Sequence, residues 1–479
     1  MSELRLSSTA GRGTLLAAVL ASGMAFLDGT VVNVALPHLG TDLGATLAGL
    51  QWTISGYTLA LAALVLLGGA LGDRYGRRRI FVLGVVWFTG ASVLCGFAQS
   101  IGVLVAARVL QGIGAALLTP GSLALLQASF HPQDRARAIG AWSGLSGVST
   151  AVGPLVGGWL IDTLSWRWIF FLNVPLAAVV LVAAARWVPE SRSLEPETSQ
   201  SPARFDIAGA VLAALGLAGV TYALIDAAEH GFGGWPVPVS TAVGVLAFVA
   251  FALVERRRGA SAMLPPALFT QRGFTRLNLY TLVVYAALSG QVFFLVVQLQ
   301  VTADYSALAA GLAGVPITVL LLVGSARAGA LATRFGPRPL LVAGPTVAAA
   351  GLLLLLGVDG HTNYWRDVLP GVVAFGIGLT MLVAPLTASV LGAVPDRFAG
   401  VASGVNNAAA RAAALLAVAA LPLLVGLSGA EYADPEPLTR AYRAALLWCT
   451  GLLLLGALTE AVARDKAPPV SHGVGDRPQ

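Results

Sequence analysis

Fourteen apolar stretches of about 17–25 residues follow one another along this chain, each long enough to cross a hydrocarbon layer about 30 Å thick as a helix. They run approximately over 13–36, 50–71, 79–97, 102–126, 138–161, 168–187, 207–225, 237–254, 276–299, 308–331, 339–357, 366–390, 401–426 and 440–462. In lipid every backbone polar group must be satisfied within the protein, so such stretches form helices or closed barrels. A barrel needs alternating strands of about ten residues, and these runs are continuous. Only 11% of the 479 residues are charged and 57% are hydrophobic, against roughly a quarter charged in a soluble domain. The chain therefore reads as an all-α polytopic membrane protein. Its first run, behind Arg5 and Arg12, is too long for a signal-peptide core and reads as an uncleaved span.

The charges fall in a pattern. Alternate loops hold the arginines: Arg74 to Arg79, Arg135 and Arg137, Arg186 to Arg204, Arg256 to Arg276, Arg334 and Arg338, and Arg397. The opposite loops carry few, mainly Arg167, Arg366 and Arg440. By the positive-inside rule both termini are expected to be cytoplasmic. The formal charge of +6 thus reads as a topology signal, and no nucleic acid partner is expected. The sole lysine, Lys466, lies near the C-terminus, which excludes a phosphate-binding P-loop and its ATP chemistry. Cys95 and Cys449 sit in separate runs without metal-ligand spacing. No paired acids within spans, metalloprotease motif or Cys/His cluster suggests an enzyme. No metal or cofactor is expected, and an ion gradient is left as the energy source.

The sequence repeats. Gly69-Ala70-Leu71-Gly72-Asp73-Arg74-Tyr75-Gly76-Arg77-Arg78-Arg79 aligns without a gap on Gly329-Ala330-Leu331-Ala332-Thr333-Arg334-Phe335-Gly336-Pro337-Arg338-Pro339, with six identities. Pro132, Asp134 and Arg135 echo Pro395, Asp396 and Arg397. The loops after spans 2 and 4 thus match those after spans 10 and 12. This divides the chain into a six-helix half (1–187), a cytoplasmic linker (188–206), two additional membrane helices (207–254), a cytoplasmic loop (255–275), a second six-helix half (276–464) and a disordered cytoplasmic tail (465–479). Repeated halves of this kind are a transporter architecture with a substrate site near the midplane between them.

Asp28 is the only acid well inside any of these runs. An ionisable group at bilayer depth costs at least a few kcal/mol and usually marks an ion or proton path. It lies about nine residues, ~13 Å, from the outer end of its span, and Arg108 lies ~9 Å deep from the same side. Burial and a neighbouring guanidinium act oppositely on a carboxylate's proton affinity, so a paired Asp28 and Arg108 are expected to couple transport to protons, the alternative being a static ion pair that pins two helices. The five histidines are read as lying in loops or tails and do not compete for that role.

Four motifs carry a family resemblance. Leu27-Asp28-Gly29-Thr30-Val31-Val32-Asn33-Val34-Ala35-Leu36-Pro37 opens it, and Gly69 to Arg78 supplies the second motif. Arg108-Val109-Leu110-Gln111-Gly112-Ile113-Gly114-Ala115-Ala116 is the third, and Gly153-Pro154-Leu155-Val156-Gly157-Gly158 the fourth. The whole chain resembles the fourteen-span drug:proton antiporters of the major facilitator superfamily. Ser149 stands where that pattern has a glycine, and Thr333 where the second-half loop would carry an aspartate.

The resemblance implies the major facilitator fold, two six-helix halves plus two extra central helices. It makes Gly69, Asp73, Arg74, Gly76, Arg77 and Arg78 a cytoplasmic gate, with Asp73 engaging the other half. It makes Gly153, Pro154, Gly157 and Gly158 the antiporter motif, a flexible seam between halves. Arg411, about ten residues or ~15 Å into its span, has no acid in its half's spans and is expected to face a cavity, carbonyls or substrate. Similar transporters follow such an arginine with glycines, where this chain has Ala412 to Ala414. Candidate cavity residues are Asn33, Trp52, Tyr57, Trp142, Tyr280, Tyr285, Gln291, Gln298 and Asn406. An apolar, aromatic cavity with few polar groups suits amphipathic organic compounds. The expected function is their export against protons, across a bacterial cell (inner or plasma) membrane. A same-fold transporter for one metabolite or antibiotic is the alternative, and a non-transporting membrane sensor a remote one.

Overall fold

The computed structural model describes residues 4–191, 206–259, 262, 264–395 and 398–463. Most of the 188–206 linker, residues 260, 261 and 263, Asp396 and Arg397, and the 465–479 tail lie outside the described residues. Among the described residues, fourteen helices are long and apolar enough to cross a membrane. In chain order they are α1 (Thr9–Leu43), α2 (Leu47–Tyr75), α3 (Arg77–Gly96), α4 (Ile101–Ser129), α5 (Pro132–Thr163), α6 (Trp168–Trp187), α7 (Ile207–His230), α8 (Pro236–Arg258), α9 (Arg272–Val301), α10 (Ala307–Phe335), α11 (Arg338–Gly357), α12 (Tyr364–Gly392), α13 (Val401–Val425) and α14 (Pro435–Val462).

Several helices outrun the apolar stretches that announce them. The first run ends at Leu36, whereas α1 continues through Pro37 to a C-cap at Gly44, whose φ of 58° is left-handed. Hydropathy measures what must sit in lipid; the hydrogen-bond ladder stops only where a residue can take the capping conformation. This places two histidines differently from expectation. His38 lies in the last turns of α1 and His230 ends α7, so neither is in a loop.

The repeat seen in the loops extends to packing. In the first half α1 packs on α5 and α6, α2 on α4, and α3 on α4 and α6. In the second, α9 packs on α13 and α14, α10 on α12, and α11 on α12 and α14. Each pairing recurs eight spans later, as two copies of one bundle require. Close approach relies on missing side chains: a Cβ at Gly84 would lie 2.8 Å from Leu118 N on α4, and one at Gly351 would lie 2.5 Å from Phe375 N on α12. Without a hydrophobic driving force in lipid, such van der Waals contact is what holds membrane helices together.

The halves meet chiefly along two seams, α2 against α13 and α5 against α10, with a smaller contact of α1 on α9. The extra pair attaches at the first. Leu217 of α7 packs with Ala62 of α2 and Leu415 of α13, and α8 stacks on α7 where Gly219 and Gly244 touch. α8 exposes Val239, Val243, Leu246, Val249 and Leu253, an apolar outer wall suited to lipid.

Candidate functional site: a buried ion pair between the seams

On α4, Arg108, Gln111 and Gly112 share one face because they are three and four residues apart. Gly112 lets α4 reach α2: a Cβ there would collide with the Tyr57 carbonyl oxygen. Arg108 then extends toward α1 and ends on Asp28. Its Nη1 donates to Asp28 Oδ2 and to Gln111 Oε1 at 2.7 Å. Gln111 Nε2 donates to Asp28 Oδ1 at 2.7 Å. Arg108 Nε donates to the Thr53 carbonyl at 3.1 Å. The guanidinium lies over the Tyr57 ring, 4.3 Å from its centroid, while the Tyr57 hydroxyl donates to the Ala25 carbonyl at 3.0 Å.

Both charges are shut away: Asp28 is 0% and Arg108 1% exposed. Removing one member of such a buried pair typically costs about 3–5 kcal/mol, because the other charge is left uncompensated. Both Asp28 oxygens accept a hydrogen bond, Oδ2 from Arg108 and Oδ1 from Gln111.

The other candidate residues separate by location. Gly153 of α5 faces Thr30 and the Leu27 carbonyl of α1, Gly157 faces Val31, and Gly158 and Pro154 face α10 at Leu308 and Gly311. The string Gly153 to Gly158 therefore packs one helix simultaneously on its own half and on the opposite half. In the loop after α2, Arg77 bonds Asp73 through Nε at 2.8 Å and Nη2 at 2.7 Å. Arg78 Nη2 caps the Ala185 carbonyl at the end of α6 at 3.1 Å. Gly69 packs on Pro120, the exposed Arg74 lies over Tyr75, and Gly76 turns the chain with a φ of 111°. The start of the expected linker closes over this loop, with Ser191 O accepting from Arg77 N and Glu190 Oε1 from Arg78 N.

Several expected cavity contacts are used otherwise. Tyr57 is buried beneath Arg108. Trp52 faces Tyr222 of α7, ring centroids 6.1 Å apart, so it meets the extra pair. Tyr280 is buried, its hydroxyl donating to the Leu341 carbonyl. Gln298 Nε2 is bound inside the second half by Val358 O and Thr439 Oγ1. Trp142 Nε1 donates to Ser22 Oγ. Periodicity located these side chains on helices but not the rotation of each helix about its axis. Asn33, Tyr285, Asn406 and Arg411 are half-buried, and Gln291 is buried with Oε1 unbonded. Asn406 Nδ2 bonds Asn278 Oδ1 at 3.3 Å and Thr281 Oγ1 at 2.7 Å. Arg411 Nε rests on Asn407 Oδ1 at 2.9 Å.

Two polar contributions escaped sequence reasoning. Gln111 was legible only as a motif letter, although its spacing of three from Arg108 places it beside the same carboxylate. Asn278 and Thr281 lack any local signal, because their partner Asn406 is four helices away. Asp28 is also not alone as a buried acid: Asp206, Glu255 and Glu460 are buried too, all at helix ends. Glu460 meets Arg276 at 3.1 Å and Asp206 meets Arg258 at 3.0 Å.

Two repeated six-helix bundles with an ion pair buried beside their seams define a membrane protein of the secondary-transporter class. A model of the family described as Major Facilitator Superfamily matches residues 18–418. The chain belongs to the major facilitator superfamily. It is 37% identical to the puromycin resistance protein pur8 of Streptomyces alboniger, over 94% of this chain and 90% of that protein. It is 35% identical to the cephamycin export protein CmcT of Amycolatopsis lactamdurans, over 98% and 99%. It is also 35% identical to a methylenomycin A resistance protein of Bacillus subtilis (strain 168), over 89% and 90%. Among solved structures, a peptide transporter POT in complex with sulfate aligns with a TM-score of 0.70 at 15% identity, covering 96% of each chain. A bacterial homolog of the human lysosomal transporter Spinster, inward-facing and unoccupied, aligns at 0.63 and 19%, covering 95% and 98%. These two likenesses concern the fold.

Proposed function

We propose that this protein exports amphipathic organic compounds, antibiotics among them, in exchange for protons. It does so from a bacterial plasma membrane, with the arginine-rich face and both termini in the cytoplasm. No cofactor takes part; the proton gradient supplies the energy. The observation that carries this reading is the carboxylate of Asp28, buried, doubly bonded and countered by Arg108. Relatives named for antibiotic resistance and export support this direction of transport and class of compound.

The halves are joined at the arginine-poor face. Gln51 Nε2 donates to Val418 O at 2.7 Å, Gln300 Nε2 to Val34 O at 3.0 Å and the Tyr432 hydroxyl to Ala45 O at 3.0 Å. The structure thus fits the state open to the cytoplasm, with Asp28 paired to Arg108 and ready for substrate. Opening the arginine-poor side exposes Asp28, lets Arg108 withdraw and admits a proton as substrate leaves. Return to the inward state releases that proton. In the alternate state the loop that carries Asp73 and Arg77 closes the cytoplasmic face. Asn33, Tyr285, Asn406 and Arg411 line the substrate path between them.

Energised everted vesicles test this directly. Adding a panel of dyes and antibiotics to wild type should release protons, and Asp28→Asn vesicles should bind the same compounds without releasing any. Binding without proton movement in the wild type would replace the antiporter by a sensor. A second reading, dedication to a single antibiotic, has its own support: the three relatives above are each named for one compound. A response to only one structural class in the panel would select it.

A further inference from the structure

The motif Gly153 to Gly158 does not account for the whole contact between α5 and α10. Pro154, Gly158 and Asp162 are spaced by four, so they form one stripe along α5. The stripe meets α10 in order: Pro154 at Gly311, Gly158 at Leu308 and Ala307, and Asp162 at the α10 N-terminus. Because the glycine and proline bring the backbones together, a side chain as short as aspartate spans the remaining gap. Its Oδ1 accepts from Ala307 N at 3.1 Å and its Oδ2 from Leu308 N at 3.0 Å. A carboxylate of the first half thus binds two amides that begin a helix of the second, at the face where the halves are joined.

We propose that Asp162 is the latch of the arginine-poor face, a positioning residue that favours the inward-open state and must release α10 each time the outer side opens. The proposal rests on the alternating-access reading above. Its chemistry is that of a capping carboxylate, whose hydrogen bonds to free amides exist only while the two helices are apposed. Asp42 provides the contrast on the same face. Its carboxylate accepts from Trp166 Nε1 at 2.8 Å and Arg167 Nη1 at 3.5 Å, both within the first half. Those bonds survive separation of the halves, so Asp42 has no part in the latch.

The test measures distance and needs no transport. Spin labels on Gln99→Cys and His361→Cys, exposed positions on this face in opposite halves, are placed in a Cys95→Ser, Cys449→Ser background. Asp162→Ala should raise the ratio of separated to apposed labels about fivefold, the factor a lost cap typically carries. Ala307→Pro removes one of the two donors at a helix position that tolerates proline. It should shift the ratio the same way, so the conclusion does not depend on either variant alone. Asp42→Ala should leave the distribution unchanged. An unchanged distribution in whichever of the two latch variants folds would overturn the proposal, as would an equal shift in Asp42→Ala. Absence of drug-evoked proton release in the wild type would instead count against the antiporter reading and leave the distances interpretable.

Discussion

The loops Gly69–Arg79 and Gly329–Pro339 share a sequence pattern and do partly different work. Arg78 and Arg338, at matched positions, do the same thing. Arg78 caps the Ala185 carbonyl at the end of α6, and Arg338 caps the Glu460 and Ala461 carbonyls at the end of α14, at 2.9 and 2.7 Å. Each ties the third helix of its half to the sixth. Five of the eleven positions differ, among them Asp73 and Arg77, an ion pair in the first half, against Thr333 and Pro337 in the second. There the same corner is a cavity of about 770 Å³, lined by Thr333, Pro337, Arg276 and Glu460 among others. What both halves share is scaffold; the Asp73–Arg77 pair belongs to the first half, where Asp28 and Arg108 also lie.

Substitutions can break or sharpen this contrast. The largest effect is expected from Asp28→Asn, which should abolish drug-evoked proton flux and destabilise the fold by up to about 3–5 kcal/mol through the stranded Arg108 charge. A thermal melt in detergent read beside the vesicle assay separates the two losses, and full proton coupling without Asp28 would remove the first half's special status. Asp73→Asn should lower transport several-fold while leaving insertion and melting temperature unchanged; wild-type transport would remove the gate assignment. Arg78→Ala and Arg338→Ala should each cost about 1.5–3 kcal/mol, the range for hydrogen bonds from charged groups. Equal melting shifts would confirm a shared structural duty, and a shift in one alone would make the symmetry superficial. The smallest change belongs to Thr333→Val, expected within about 0.5 kcal/mol as at most surface positions and without effect on transport. A transport defect there would mean that the second-half loop still gates.

Much of this was readable in the chain, for a definite reason. Whether a segment spans a membrane depends on its own twenty or so residues, since lipid leaves an apolar helix no alternative. Spans, the loop repeat and the extra pair could therefore be read off composition and spacing. Asp28 and Arg108 could be matched by depth, because depth follows from counting residues at a fixed rise.

Helix rotation and helix partners were another matter. Trp52 turns to Tyr222, Tyr57 supports Arg108, Gln111 closes the carboxylate's second oxygen, and Asp162 reaches across a seam to α10. These depend on how close one backbone comes to another, which small residues on both helices decide together. The sequence by itself determined that the chain crosses a membrane fourteen times and carries a charge inside it. Tertiary structure decided which side chains meet that charge and where the halves lock, because those contacts belong to pairs of helices distant in the chain.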